Sequence, residues 1–99
     1  MKTLSLVLKG KWFDMIASGE KKEEYRDLSP YWRKRLVDEN AYFRKFDTVK
    51  FYHGYSKGRK SIVLKFKGTR VDLGNPEWGG KGNWYYYCIS LGEIVSKNF

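Results

Sequence analysis

Apolar residues recur at every second position through much of this chain, and that period commits those stretches to sheet. Leu4, Leu6 and Leu8 alternate with Thr3, Ser5 and Val7, the pattern of a strand with one buried face. Val49, Phe51 and His53 share a parity opposite to Lys50 and Tyr52. Ile62, Leu64 and Phe66 alternate with Val63, Lys65 and Lys67, and Tyr85, Tyr87, Ile89 and Leu91 alternate with Trp84, Tyr86, Cys88 and Ser90. Thr69 to Leu73 reads as a further short strand after a break at Gly68. Glu93 to Phe99 reads as a tail with room for one more through Ile94 and Val95.

Two stretches carry a helical period instead. Lys11 to Ser18 groups Trp12, Met15 and Ile16, and Gly19 behind it is a natural left-handed terminus. Ser29 and Pro30 supply a cap and a first-turn proline for a second helix running to about Glu39. Trp32, Leu36 and Val37 would face inward there, and Arg33, Lys34 and Arg35 outward. Asn40 to Phe46 is a connector or a short helical turn, anchored by Phe43 and Phe46. Gly54 to Arg59 is a turn, and Gly74 to Asn83 is a glycine-rich loop carrying Pro76 and Trp78. This order predicts one α+β domain over residues 1–99. Its mixed, curled sheet would close toward a small β-barrel capped by short helices.

The segment Gly19-Glu20-Lys21-Lys22-Glu23-Glu24-Tyr25-Arg26 carries the chemistry. Glu and Lys favour helix, but the break at Gly19 favours a strand over Lys21 to Asp27. On a strand Glu24 and Arg26 project together and Tyr25 points the other way, while Lys21 approaches the same spot from the turn. A cation, a carboxylate and a guanidinium would then meet at one pocket mouth. Arg26 would fork onto a phosphate or a base edge. Glu24 would accept from an exocyclic amine, and Lys21 would supply a point charge at a phosphate. The alternative is a set of surface ion pairs, each worth at most about 1 kcal/mol.

Other residues divide between binding and packing. Trp12, Tyr55 and Trp78 are candidates for stacking on a base, with packing as the alternative for the two tryptophans. His53, the only histidine, reads as a buried structural residue or as a proton-transfer or stacking group beside Gly54 and Tyr55. Gly79-Gly80-Lys81-Gly82 is not a phosphate loop, since it lacks the required spacing and leads into a strand. Lys57, Arg59, Lys60, Lys65 and Lys67 form a basic hairpin that is either a nucleic-acid track or a solvated edge guarded by lysines.

The formal net charge of +9 favours polyanionic partners. No apolar run approaches the ~20 residues of a membrane span, and Leu4 to Leu8 is too short for a signal peptide. Cys88 is the only cysteine, so internal disulfides and zinc clusters are excluded, and it reads as a small buried hydrophobe. A cytoplasmic protein that binds RNA or a nucleotide is the resulting expectation, with an acidic protein partner as the competing one and no cofactor called for.

The same residues, taken in order, resemble the ASCH domain family of the PUA-like superfamily. The likeness runs through Leu8-Lys9, Trp12-Phe13, Ile16 to Lys21 and Glu24-Tyr25-Arg26. It continues with Phe46 to Val49, Gly54-Tyr55, Glu77-Trp78-Gly79 and Ile89 to Gly92. The resemblance implies a small β-barrel that binds RNA or a modified nucleotide in a cleft around Lys21, Glu24 and Arg26. Some relatives are amidohydrolases acting on acetylcytidine, where the lysine works beside a threonine nucleophile two residues before the arginine. Here Lys21 and Arg26 match, but Glu24 holds the threonine position. A carboxylate does not replace the hydroxyl nucleophile without a change of mechanism, although it can act as a base toward water. Other relatives look like ribonucleases. An enzyme of either kind would use Lys21 and Glu24.

Overall fold

The computed structural model describes residues 2–99. Five strands and two helices follow the order β1 (Thr3–Leu8), α1 (Gly10–Ala17), β2 (Glu23–Arg26), α2 (Pro30–Leu36), β3 (Thr48–His53), β4 (Ser61–Leu73) and β5 (Tyr85–Asn98). A single 3₁₀ turn at Pro76–Trp78 lies between β4 and β5. The fold class is α+β. The strands form one sheet in the order β1-β3-β4-β5-β2, with β1 parallel to β3 and the other neighbours antiparallel.

The expected barrel is not closed. β1 pairs only with β3 and β2 only with β5, so each leaves one flank without a strand partner. The sheet curls far enough that Arg26 of β2 donates from Nη2 to the Val7 carbonyl of β1 at 3.2 Å. A side chain bridges the gap where a closed barrel would have a backbone ladder.

Register explains the core. Leu4, Leu6 and Leu8 stand opposite Val49, Phe51 and His53, and Val49 and Phe51 stand opposite Leu64 and Ile62. These leucines, Val49, Phe51, Ile62 and Leu64 join Tyr87, Ile89 and Leu91 in one buried cluster, to which α1 adds Phe13 and Ile16 and α2 adds Leu36. The alternation seen in the sequence is thus the core-facing row of each strand.

Four boundaries differ from the sequence expectation. β2 is confined to Glu23–Arg26, because the turn after α1 takes up Lys21 and Lys22. α2 stops at Leu36: Val37 is extended and bridges Phe43, and the Asp38 carboxylate accepts from the backbone of Asn40 and Tyr42. That turn ends the helix before Glu39. Gly68 does not divide two strands, since β4 passes through it with a register shift between Phe66 and Thr69. β5 likewise continues through Gly92 to Asn98, with shifts that absorb extra residues and bend the long hairpin.

Candidate functional site

α1 ends where Gly19 adopts φ +83°, a conformation that side-chain-bearing residues rarely take. Its N–H donates to Ile16 O at 3.1 Å, and the Lys21 N–H returns to Met15 O at 3.0 Å. The chain doubles back under the helix, and Lys21 goes inside while Glu20 and Lys22 stay exposed. β2 then places Glu24 opposite Ile89 and Arg26 opposite Tyr87, on the core-facing side of the sheet. The three charged groups converge, as the strand alternation predicts.

Lys21 is 2% exposed and Glu24 6%. Lys21 Nζ lies 3.3 Å from Glu24 Oε1, donates to the Trp78 carbonyl, and sits over the Tyr25 ring at 4.8 Å and the Trp12 ring at 5.5 Å. Arg26 Nη2 donates to Glu24 Oε2 at 2.9 Å as well as to Val7 O. The Arg26 guanidinium stacks on Trp32 at 4.9 Å, and its Nε is buried without a partner. Buried charge of this kind persists only when each ion meets an opposite charge or a dipole. Burial pushes the Lys21 ammonium below the ordinary lysine value, and the Glu24 carboxylate opposes that shift.

Beside this network the gap between β1 and β2 opens into a cavity of about 540 Å³. Val7, Leu8 and Lys9 form one wall and Glu24, Tyr25 and Arg26 the facing one. Trp12 and Trp78 with Gly79 close one side, and Gly54 and Tyr55 form a lip. A hollow of this size with aromatic walls and a few fixed polar groups suits a small planar ligand.

The loop that brings Trp78 is tied down from below. Tyr25 OH accepts from Asn75 N at 3.0 Å, Tyr86 OH accepts from Lys81 N at 3.1 Å, and Lys21 holds the Trp78 carbonyl. Gly79 has φ +91° and lies flat on Trp12, where a Cβ would come within 2.9 Å of the indole Cζ2. Burial, together with the Glu23 carboxylate, pushes the Tyr25 phenol well above its ordinary value, so Tyr25 stays neutral. Burial also raises the Cys88 thiol, which leaves it a protonated, enclosed group.

Six of the seven residues singled out from the sequence therefore meet here: Lys21, Glu24, Arg26, Trp12, Tyr55 and Trp78. His53 does not. Its ring packs edge-on to Phe13 at 5.2 Å and against Gly10, where a Cβ would sit 2.8 Å from Nε2. The parity with Val49 and Phe51 was the signal for this structural role. Four contributors were missed, the first being Lys9, which follows β1 and lines the cavity. Tyr25 has the opposite parity to Glu24, yet at an edge strand its ring also reaches the cavity. Trp32, assigned to packing alone, stacks on Arg26. Val7 contributes a backbone carbonyl, for which the side-chain sequence carries no signal.

No family model matches the chain, and no curated protein or solved structure matches it. Among the described residues no helix is long and apolar enough to cross a membrane.

Proposed function

We propose that the chain is a nucleobase-recognising module that takes RNA or a modified nucleotide into the cavity between β1 and β2. The observation that carries this reading is a carboxylate fixed by two cations at the edge of an aromatic-walled hollow. Glu24 accepts from an exocyclic amine such as that of cytosine, Trp12, Trp78 or Tyr55 stacks on the ring, and Lys9 and Arg26 face the phosphate. A positive net charge of +9 supports an anionic partner. The order of motifs that resembles the ASCH family agrees with the same reading.

Titration with cytidine monophosphate and with a short single-stranded RNA at low salt tests it. Tyr55→Ala and Trp78→Ala each weaken binding about tenfold or more, matching the loss of a base–aromatic stack worth about 1–3 kcal/mol. Lys21→Ala with Arg26→Ala abolishes binding in protein that still folds. Unchanged affinity in all of these variants would show the reading to be wrong.

A second reading, hydrolysis of a nucleoside amide or an RNA phosphodiester, draws on one observation: burial lowers Lys21 toward a value useful for proton transfer. On the amide, Glu24 takes a proton from water as its oxygen attacks the acyl carbon. The carbon–nitrogen bond breaks, and Lys21 protonates the departing amine. Both Glu24 oxygens are already engaged by cations, which favours binding over this chemistry. Turnover of acetylcytidine or RNA that disappears in Lys21→Met and in Glu24→Gln would reverse that preference.

A further inference from the structure

The basic hairpin separates into two parts once it is folded. Register sets Val7 beside Tyr52 and Ser5 beside Lys50 on the outer face of the sheet. Tyr52 therefore adjoins the strand end that walls the cavity. Its ring is bracketed by the Arg59 guanidinium at 4.2 Å and the Lys50 ammonium at 5.0 Å. Tyr55, 84% exposed, stands on the cavity lip two residues beyond the end of β3. Lys65 and Lys67 lie farther from the turn, with Lys65 opposite Thr48, one row beyond Lys50. There Lys65 pairs with Glu93 at 3.0 Å, and the Lys67 stem lies across Gly92, 2.7 Å from where a Cβ would stand.

Among the described residues, only Lys65 of the four cations has a carboxylate partner, Glu93. Thr48 to Val71 contains no Asp or Glu. Among the described residues neither Lys50 nor Arg59 has a carboxylate within ion-pair distance. A guanidinium already stacked on an aromatic ring has its fork oriented and loses little freedom when it meets a phosphate. Continuity with the cavity and the lack of acidic neighbours both point to a polyanion that emerges from the cavity.

We propose that Lys50, Tyr52, Tyr55 and Arg59 form a track for the backbone of single-stranded RNA flanking the base held in the cavity. This rests on the nucleobase reading of that cavity. The track supplies phosphate contacts from Lys50 and Arg59 beyond the Tyr55 lip, so a strand binds more tightly than a mononucleotide.

The test measures binding of an oligoribonucleotide of about ten residues and of cytidine monophosphate to three proteins: the natural chain, Lys50→Ala/Arg59→Ala, and Lys65→Ala/Lys67→Ala. The two double variants remove equal charge. The first is expected to lose about tenfold in oligonucleotide affinity at low salt and to flatten the plot of log K against log salt by about 1.4, or about 0.7 for each lost phosphate contact. Its affinity for the monophosphate stays unchanged. The second is expected to change oligonucleotide affinity by about twofold or less. Equal losses in the two variants would reduce the effect to net charge and overturn the track, as would no loss in the first. Displacement of the RNA by an acidic peptide of equal charge, with the same dependence on Lys50 and Arg59, would make the surface a protein dock and also overturn it. If the monophosphate fails to bind even the natural chain while the oligonucleotide still depends on Lys50 and Arg59, the cavity reading fails and the track stands.

Discussion

Glu23 and Glu24 are neighbours on one short strand, yet each belongs to a different electrostatic setting. Glu23 reaches the outer face, where its Oε1 accepts from Arg70 Nη2 at 2.9 Å. Arg70 also donates to Asp72 Oδ2 and to Ser90 Oγ, both at 3.1 Å, which joins β2, β4 and β5 at the surface. Arg70 and its partner Asp72 are open to water. Glu24 turns inward to Lys21 and Arg26, where solvent is excluded. Both clusters pair a glutamate with an arginine, but the inner one adds a buried lysine where the outer one adds an aspartate and a serine. Burial of Lys21 and Glu24 makes the inner cluster dependent on its members.

The largest expected effect breaks or upholds this contrast directly. Glu24→Ala strands a buried ammonium and should cost about 3–5 kcal/mol, whereas Glu23→Ala should cost less than about 1 kcal/mol. Urea denaturation of the two variants measures both. Lys21→Met combined with Glu24→Leu should recover only part of the loss, because it removes the stranded ammonium but still leaves Arg26 without its carboxylate. Equal costs for the two single glutamate variants would erase the distinction.

Tyr25 sharpens the contrast, since it shares the parity of Glu23 but reaches the cavity. Tyr25→Phe leaves the Asn75 N–H without its acceptor and should destabilise by about 1–3 kcal/mol. It should also speed amide exchange in the loop that carries Trp78.

Titration gives a third comparison. Lys21 is depressed in the folded chain, so between its folded value and the ordinary 10.5 the unfolded state binds more protons. Stability then rises with pH in that window, with a slope of at most about 1.4 kcal/mol per pH unit. Tyr25 is raised above its ordinary 10.0, so its contribution is complete below pH 10.0 and is lost as the pH climbs beyond it. Cys88, raised above its ordinary 9.0, opposes the Lys21 rise from that pH upward, so the Lys21 contribution is read as the difference between the natural chain and Lys21→Met. The rise should vanish in Lys21→Met and the fall should lessen in Tyr25→Phe.

The smallest effect concerns salt. At about 1 M, where screening acts within about 3 Å, the cost of Glu23→Ala should shrink toward zero while that of Glu24→Ala persists.

Much of this was written locally. The leucine alternation of β1 gave its core row, Ser29 does cap α2 by accepting from Trp32 N at 3.3 Å, and Gly19 located the turn that delivers Lys21. Strand order was not legible, because the pairing of β1 with β3 joins residues far apart in sequence, and single-strand patterns do not name their neighbours. The failure of the barrel to close has the same origin: each edge strand looks like any half-buried strand. Gly68 reads as an interruption in the sequence, since a glycine at a bulge and a glycine at a turn have the same letter. The convergence of Lys21, Glu24 and Arg26 was legible because it needs only one turn and one strand. The cavity was not, because it lies between elements brought together by the whole sheet.

One feature of β1 reaches beyond ligand binding. Its open flank presents Ser5 O to Arg35 Nη2 at 3.4 Å and Val7 O to Arg26 Nη2, and Trp32 stacks with both guanidinium groups. Those carbonyls would otherwise invite a strand from a second molecule to dock edge to edge. Occupied by bulky cations, they oppose self-association along that side, and a chain lacking both arginines would offer that edge to a second copy.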